Sequence, residues 1–257
     1  MELPHENIFD FHLCAPLRYR FEQSIAPRTS ITGDHAMRQT RTRPSSRVRK
    51  KGRVPRSNDE RFAATRAELV ASARRLFARH GYVATATDDL VASAGTTRGA
   101  LYYHFNDKRD AFRAVFEQVA GEIAAHILAR DKSVSAPLER LLEGCEGFLV
   151  KCLDPQVARI YLLDGPAVLG WSQWRKLDTE LNVSALEKAV ARVLGPAVAA
   201  GIVQLVSTAI SGLLNEVALL AAAEPAAVKQ SVLLQQTRAM IAGLLRGVRT
   251  RGGVSEA

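Results

Sequence analysis

Two glycines constrain this chain more than any other feature. Gly81 and Gly95 cut residues 58–105 into a long helical run, a short helical run and a third one of about three turns. A glycine just past a helical run supplies a left-handed terminus without a Cβ penalty. The first run, over about 58–80, carries Phe62, Leu69, Ala73, Leu76 and Phe77 on one apolar stripe, with Ser57 and Glu60 spaced as a capping box at its start. Thr87 is placed to cap the second run, which ends near residue 94, and Asp88 and Asp89 suit the positive end of its dipole. Leu101 and Phe105 mark the core side of the third run. Asn106 or Asp107 then caps a fourth, which continues through Phe112, Val115, Phe116, Val119, Ile123 and Ile127. Helix, short helix, glycine turn, helix is the helix-turn-helix pattern, expected over about 86–105.

The third run has an unusual composition for a core helix. Thr96, Thr97, Arg98, Gly99, Tyr102, Tyr103 and His104 stand within nine residues. Contacts to phosphates and base edges use Arg, Lys, Ser, Thr, Tyr and helix N-termini, so this run reads as a DNA recognition helix. Thr87, Thr96 and Thr97 at helix starts suit phosphate binding, or serve as caps alone; the two roles are compatible. Arg98 reaches a phosphate or a guanine edge, or is a solvated surface arginine. Gly99 allows close approach of backbone to DNA. Tyr102 has core packing as its alternative, and at most two of Tyr102, Tyr103 and His104 are expected to face DNA.

The rest of the chain also reads as helix. Alanine and leucine dominate, and strand-like alternation is scarce. Pro137 opens a helix to about 152, and Asp154-Pro155 opens another that Gly165-Pro166 breaks or kinks. A helix over about 171–194 has a weak spot near Asn182 and stops at Gly195-Pro196. Two more cover about 199–223 and 225–248. The fold class is therefore all-α, with about nine helices and no repeats. Val206, Ile210, Leu213, Val217 and Leu220 form a seam on the first of the last two helices, and Leu234, Ile241, Leu245 and Val248 nearly repeat it. These seams suit an intersubunit four-helix bundle, or the core of a monomer.

Charge and cysteine usage narrow the function classes. The net charge is +9, which suits a polyanionic partner. Residues 38–56 hold nine Arg or Lys and no acid, and read as an unfolded tail: a solubilising segment, or an arm on the DNA backbone. Residues 1–36 show no helical period, and Met37 sits at a change in composition, which makes it a candidate start. Cys14, Cys145 and Cys152 have neither disulfide nor zinc spacing. Cys145 and Cys152, seven apart, read as small core residues. No 18-residue uncharged apolar run is read, so no membrane partner is expected, and the cytoplasm is the expected compartment. An enzyme could draw only on His104 with Asp107, or on a thiol such as Cys145. No nucleophile motif, metal spacing or phosphate loop supports that class, so no catalytic residue, metal or cofactor is assigned.

Ala73-x-x-Leu76-Phe77-x-x-x-Gly81-Tyr82, then Thr85-x-Thr87, then Ala94-Gly95-Thr96-Thr97-x-Gly99-Ala100-Leu101-Tyr102-Tyr103-His104-Phe105 and Lys108, resembles the tetracycline-repressor (TetR) family of transcriptional regulators across about 59–120. The stretch 163–171 also looks like regulatory domains in part of that family. The resemblance implies a small DNA-binding domain over 57–106, a larger helical regulatory and dimerisation domain over 107–250, a disordered basic extension over 1–56 and a disordered tail over 251–257. By family position, Tyr102, Tyr103 and His104 are phosphate or base contacts, and Lys108 is the family's phosphate lysine. It further implies a homodimer through the last two helices, bound to a palindromic operator in double-stranded DNA and released by a small-molecule effector. Phe148, Tyr161, Trp171 and Trp174 are candidates for the effector pocket, or ordinary core. An activator, a regulator controlled by a protein partner and a helical adaptor that binds nucleic acid non-specifically are the alternatives.

Overall fold

Gly and Pro set most of the element ends in the computed structural model, which describes residues 58–131, 136–223 and 229–252. The helices are α1 (Asn58–Ala84), α2 (Thr87–Ser93), α3 (Arg98–His104), α4 (Lys108–Asp131) and α5 (Pro137–Cys152). A composite run comes next: α6 (Pro155–Ala158), a π-helical segment (Arg159–Asp164) and α7 (Gly165–Leu169). A second composite run holds α8 (Trp171–Asp178), another π segment (Thr179–Val183) and α9 (Ser184–Leu194). The chain continues through α10 (Ala200–Ala223) and α11 (Gln230–Gly252). With each composite run taken once, the described residues form nine helical bodies and no strand. The expectations for residues 1–57, including the basic tail and the Ser57 cap, lie outside the described residues.

Several ends arise from local chemistry. Gly81, at φ +80°, breaks the helical path inside α1, and Gly95, Gly170 and Gly195 also have positive φ. Asp154 caps α6 by accepting the Gln156 N–H at 2.8 Å. Gly165-Pro166, expected to break or kink its helix, does not break it but marks the change from π to α geometry. Pro166 offers no N–H to the carbonyls one turn before it, where the turn is widened to π, and the helical path runs on to Leu169. The weak spot near Asn182 is the second π segment. The last helix is described from Gln230, and its expected start near 225 lies outside the described residues. It also runs to Gly252, two residues into the stretch expected to be a tail.

Residues up to Ala63 form a unit of their own, whose described part is the exposed start of α1. Phe62 is 42% exposed there, so the buried stripe of α1 begins at Leu69. Within residues 64–257 the apolar side chains form two clusters. The smaller joins Leu69, Val91, Leu101, Phe105 and Ala111 and holds α1, α2, α3 and the start of α4 together. The larger runs from Ala73 and Phe77 of α1 through α4 to α11. Phe77, Tyr82 and Phe112 pack at 5.4–5.6 Å between centroids where the two meet. Ion pairs lace the outside: Arg130 and Arg238 both grip Glu143 and Glu146, tying α4 and α11 to α5.

The two seams face inward more than outward. Val206, Ile210, Leu214, Ala218 and Ala222 line the buried side of α10, while Leu220 is exposed. Ile241 and Leu245 of α11 are in the same core. The exposed apolar side chains, of which only Leu220 belongs to a seam, are Ile202, Leu205 and Leu220 on α10, with Val232, Met240 and Leu244 on α11. The structure also corrects the reading of apolar length. By length and composition α10 could cross a bilayer, a test that buried core helices pass too, and it carries part of the larger core.

Candidate nucleic-acid interface

α3 is short, and its exposed face is set by what it buries. Leu101 and Phe105 are sunk in the smaller core, which turns Arg98, Gly99, Tyr102 and Tyr103 outward. Tyr103 is 76% exposed and Tyr102 54%, so neither is core. Thr97 is the N-cap, its hydroxyl accepting the Ala100 N–H at 3.2 Å. Thr96 lies one residue earlier, and its N–H donates to Val91 O at 3.0 Å to close the Gly95 turn. Gly99 needs no absent side chain for packing, since a Cβ would meet nothing nearer than Thr97 Oγ1 at 3.8 Å. His104 is half-buried, edge-on to Tyr103. Desolvation and then the Arg66 charge push its pKa down, which favours the neutral imidazole.

One residue departs from expectation, and two others have protein partners that the sequence did not show. Thr87 is not the cap of α2: Ala86 has the extended cap conformation, its N–H donates to Asp89 Oδ2 at 3.2 Å, and Thr87 becomes the first helical residue. Arg98 is paired with Asp88, both guanidinium contacts at 2.5 Å, at the exposed junction of α2 and α3. The Arg98 hydrogen bond holds the Asp88 carboxyl below the usual carboxylate range. Lys108 faces the protein. Its ammonium donates to the carbonyls of Tyr82 and Thr85, both at 2.9 Å, and lies 4.1 Å from the Tyr82 ring centroid. Desolvation lowers its pKa.

A cavity of about 410 Å³ lies among α4, α5, α9, α10 and the second π segment. Of the four aromatic residues expected there, only Phe148 lines it. Tyr161 is fully buried beside it, stacked on Phe116 at 5.1 Å. Its hydroxyl donates to Asp178 Oδ1 at 2.5 Å and accepts from Asn182 Nδ2 at 2.8 Å, and both partners line the cavity. Trp174 is core, its indole N–H donating to Tyr161 O at 2.9 Å. Trp171 is 60% exposed and packs on Trp174 outside the cavity. Cys145 and Cys152 are buried, and burial pushes the Cys145 thiol up to about 12 and that of Cys152 higher still, as inert core thiols require.

The first π segment connects this region to the helix-turn-helix. Asp164 ends it and accepts the Tyr82 N–H at 2.9 Å, in the loop that Lys108 clamps. Arg109 at the start of α4 donates to Leu169 O at 2.7 Å. Sequence reasoning missed Asp88, Asp164, Asp178 and Asn182 as partners. The only signal for the last two was the break in helical pattern near Asn182.

Comparison with known proteins agrees with these features. Residues 69–115 match the family described as bacterial regulatory proteins, tetR family, and residues 138–248 match the tetracyclin repressor-like C-terminal domain. The TetC protein of transposon Tn10 from Escherichia coli is 28% identical over 137 residues, 52% of this chain and 68% of that protein. The HTH-type transcriptional repressor AcnR of Corynebacterium diphtheriae is 34% identical over 71 residues, 28% of this chain and 37% of AcnR, so that likeness covers little more than a third of it. The crystal structure of a TetR-family transcriptional regulator from Pectobacterium atrosepticum is 32% identical, with a TM-score of 0.59, and the match covers 75% of this chain and 97% of that one. The chain belongs to the TetR family of DNA-binding transcriptional regulators.

Proposed function

We propose that the protein is a dimeric repressor that binds a palindromic operator through α3 and leaves it when a small molecule fills the cavity. The outward face of α3 carries this reading: Thr97, Arg98, Gly99, Tyr102 and Tyr103 stand together there without serving the core. Residues 57–106 act as the DNA-binding domain and 107–250 as the regulatory one. A seven-residue helix contacts few bases, so two copies on a pseudo-palindrome multiply the contacts. The exposed apolar side chains of α10 and α11 supply the surface for the second copy. A repressor named among the relatives supports the direction of control.

Release runs through the first π segment. Tyr161 joins the cavity residues Asp178 and Asn182 at one end, and Asp164 holds the Tyr82 N–H at the other. A ligand that shifts Tyr161 moves the loop that feeds α2 and α3. Turning a population from 1:99 to 99:1 requires about 5.5 kcal/mol of differential affinity for the released form. The test is a gel shift of the pure protein on its own upstream DNA and on a genomic fragment pool. A sequence-specific complex that Arg98→Ala or Tyr103→Ala weakens, with loss of sequence preference, is expected. Equal binding to unrelated duplexes, unchanged in both variants, would make the protein a non-specific adaptor instead.

A further inference from the structure

We infer that the cavity takes an organic anion with an apolar body, its charged head at the solvent edge and a hydrogen-bond donor at its inner end. This rests on the cavity being the effector site. The inner wall is apolar, with Leu141, Cys145, Phe148 and Leu214 all buried. Its volume of about 410 Å³ falls in the range of small-molecule sites.

Polar groups are segregated between the two ends. At the inner end, Asp178 is already bonded by the Tyr161 hydroxyl and by Arg175 at 3.1 Å. Asn182 spends its amide N–H on Tyr161, and its Oδ1 is buried with no partner in the protein. Buried acceptors are almost always bonded, so a ligand donor, hydroxyl or N–H, fits there. At the outer edge stand three cations. Lys188 and Arg192 are four residues apart on α9, on the cavity-facing stripe with Ala185 and Ala189, and Arg140 joins them from α5. Lys188 and Arg192 are exposed and among the described residues neither is in an ion pair, while Arg140 is half-buried and has an interaction of its own. An anion at that edge meets three like-signed partners beside apolar, low-dielectric walls, where charge interactions are stronger than in water. A cationic head would meet the same three charges unfavourably. With the cations at the outer edge and the unbonded Asn182 Oδ1 within, the ligand enters donor first.

The experiment is calorimetric titration of the full-length protein with matched acid and amide pairs: decanoate against decanamide, and 6-hydroxy-2-naphthoate against its carboxamide. The acids are expected to bind at least about tenfold tighter than the amides, the effect of one charge-assisted contact. Loss of the 6-hydroxyl should weaken the naphthoate further. The double variant Lys188→Gln/Arg192→Gln, shown to be folded by its melting curve, should erase the preference for acid. If the amides bind as tightly as the acids, or the preference survives the double variant, the anion inference falls while the cavity remains a ligand site. If neither acids nor amides bind, or if the pocket-filling variant Ala189→Phe binds them as well as the parent does, the effector-site reading falls with it.

Discussion

A lysine ammonium carries three N–H donors, and Lys108 has given two of them to carbonyls of the loop that leads into α2. Two charge-assisted bonds at a partly buried site contribute about 1–2 kcal/mol each before solvent screening. Lys108→Met should therefore lower the unfolding free energy by about 1–3 kcal/mol in urea titration, and DNA affinity should fall because the loop loosens. A variant that melts like the parent and loses only DNA affinity would return Lys108 to a phosphate-contact role. Arg98 poses the opposite problem. Its guanidinium is held by Asp88, so any phosphate or base must compete with that carboxylate. The pair is exposed, which makes the competition easy to win. Asp88→Asn should tighten binding to operator and to random DNA alike and steepen the salt dependence. Arg98→Ala should weaken operator binding and relax sequence preference if it reads a base. Equilibrium binding at several salt concentrations separates the two.

At the scale of elements, the two π segments matter most, because each adds a residue to a turn and re-aims the helix beyond it. Tyr161 on the first bonds Asp178 and Asn182 at the second. Tight packing fixes the first of them. A Cβ on Gly165 would lie 2.9 Å from Trp174 Cδ1 and 3.1 Å from Phe116 Cε2. Gly165→Ala should thus destabilise the fold by about 1–3 kcal/mol, the usual cost of overpacking, read in urea denaturation. A neutral or stabilising result would mean that α7 and α8 separate freely. The sequence showed much of this layer: Pro137, Asp154-Pro155, Gly81 and Gly195 announce helix ends through local chemistry. The exposed polar face of α3 was equally legible, since its residues sit within nine positions. The π registers were not, because a single widened turn barely disturbs an apolar period. The faces of α10 and α11 were not either: both sides of α10 are apolar, and only the neighbours decide which one is buried. The cavity was hardest to read. Trp171 and Trp174 suggested it by residue type, yet a cavity is a space left between helices, and its edge is marked by Lys188 and Arg192, which look like ordinary surface.

For the whole molecule, the unclaimed surface is as informative as the core. Ile202, Leu205, Leu220, Val232, Met240 and Leu244 are exposed on two consecutive helices, and such apolar surface calls for a partner. If that partner is a second copy, Leu205→Glu with Met240→Glu should sediment as a monomer and lose cooperative operator binding while keeping its helical content. A double variant that stays dimeric would move the interface elsewhere. The chain also holds only two tryptophans, both on α8, and their placement has an optical consequence. Trp174 is sealed in the core with its indole N–H on the Tyr161 carbonyl, while Trp171 leans on it from solvent. Excitation at the red edge of protein absorbance therefore reports on α8 alone, through Trp174 bonded to the backbone of the first π segment and through Trp171 at the surface. A stopped-flow trace of this native emission, recorded beside the anisotropy of a labelled operator, would time the internal rearrangement and the departure of DNA as separate events.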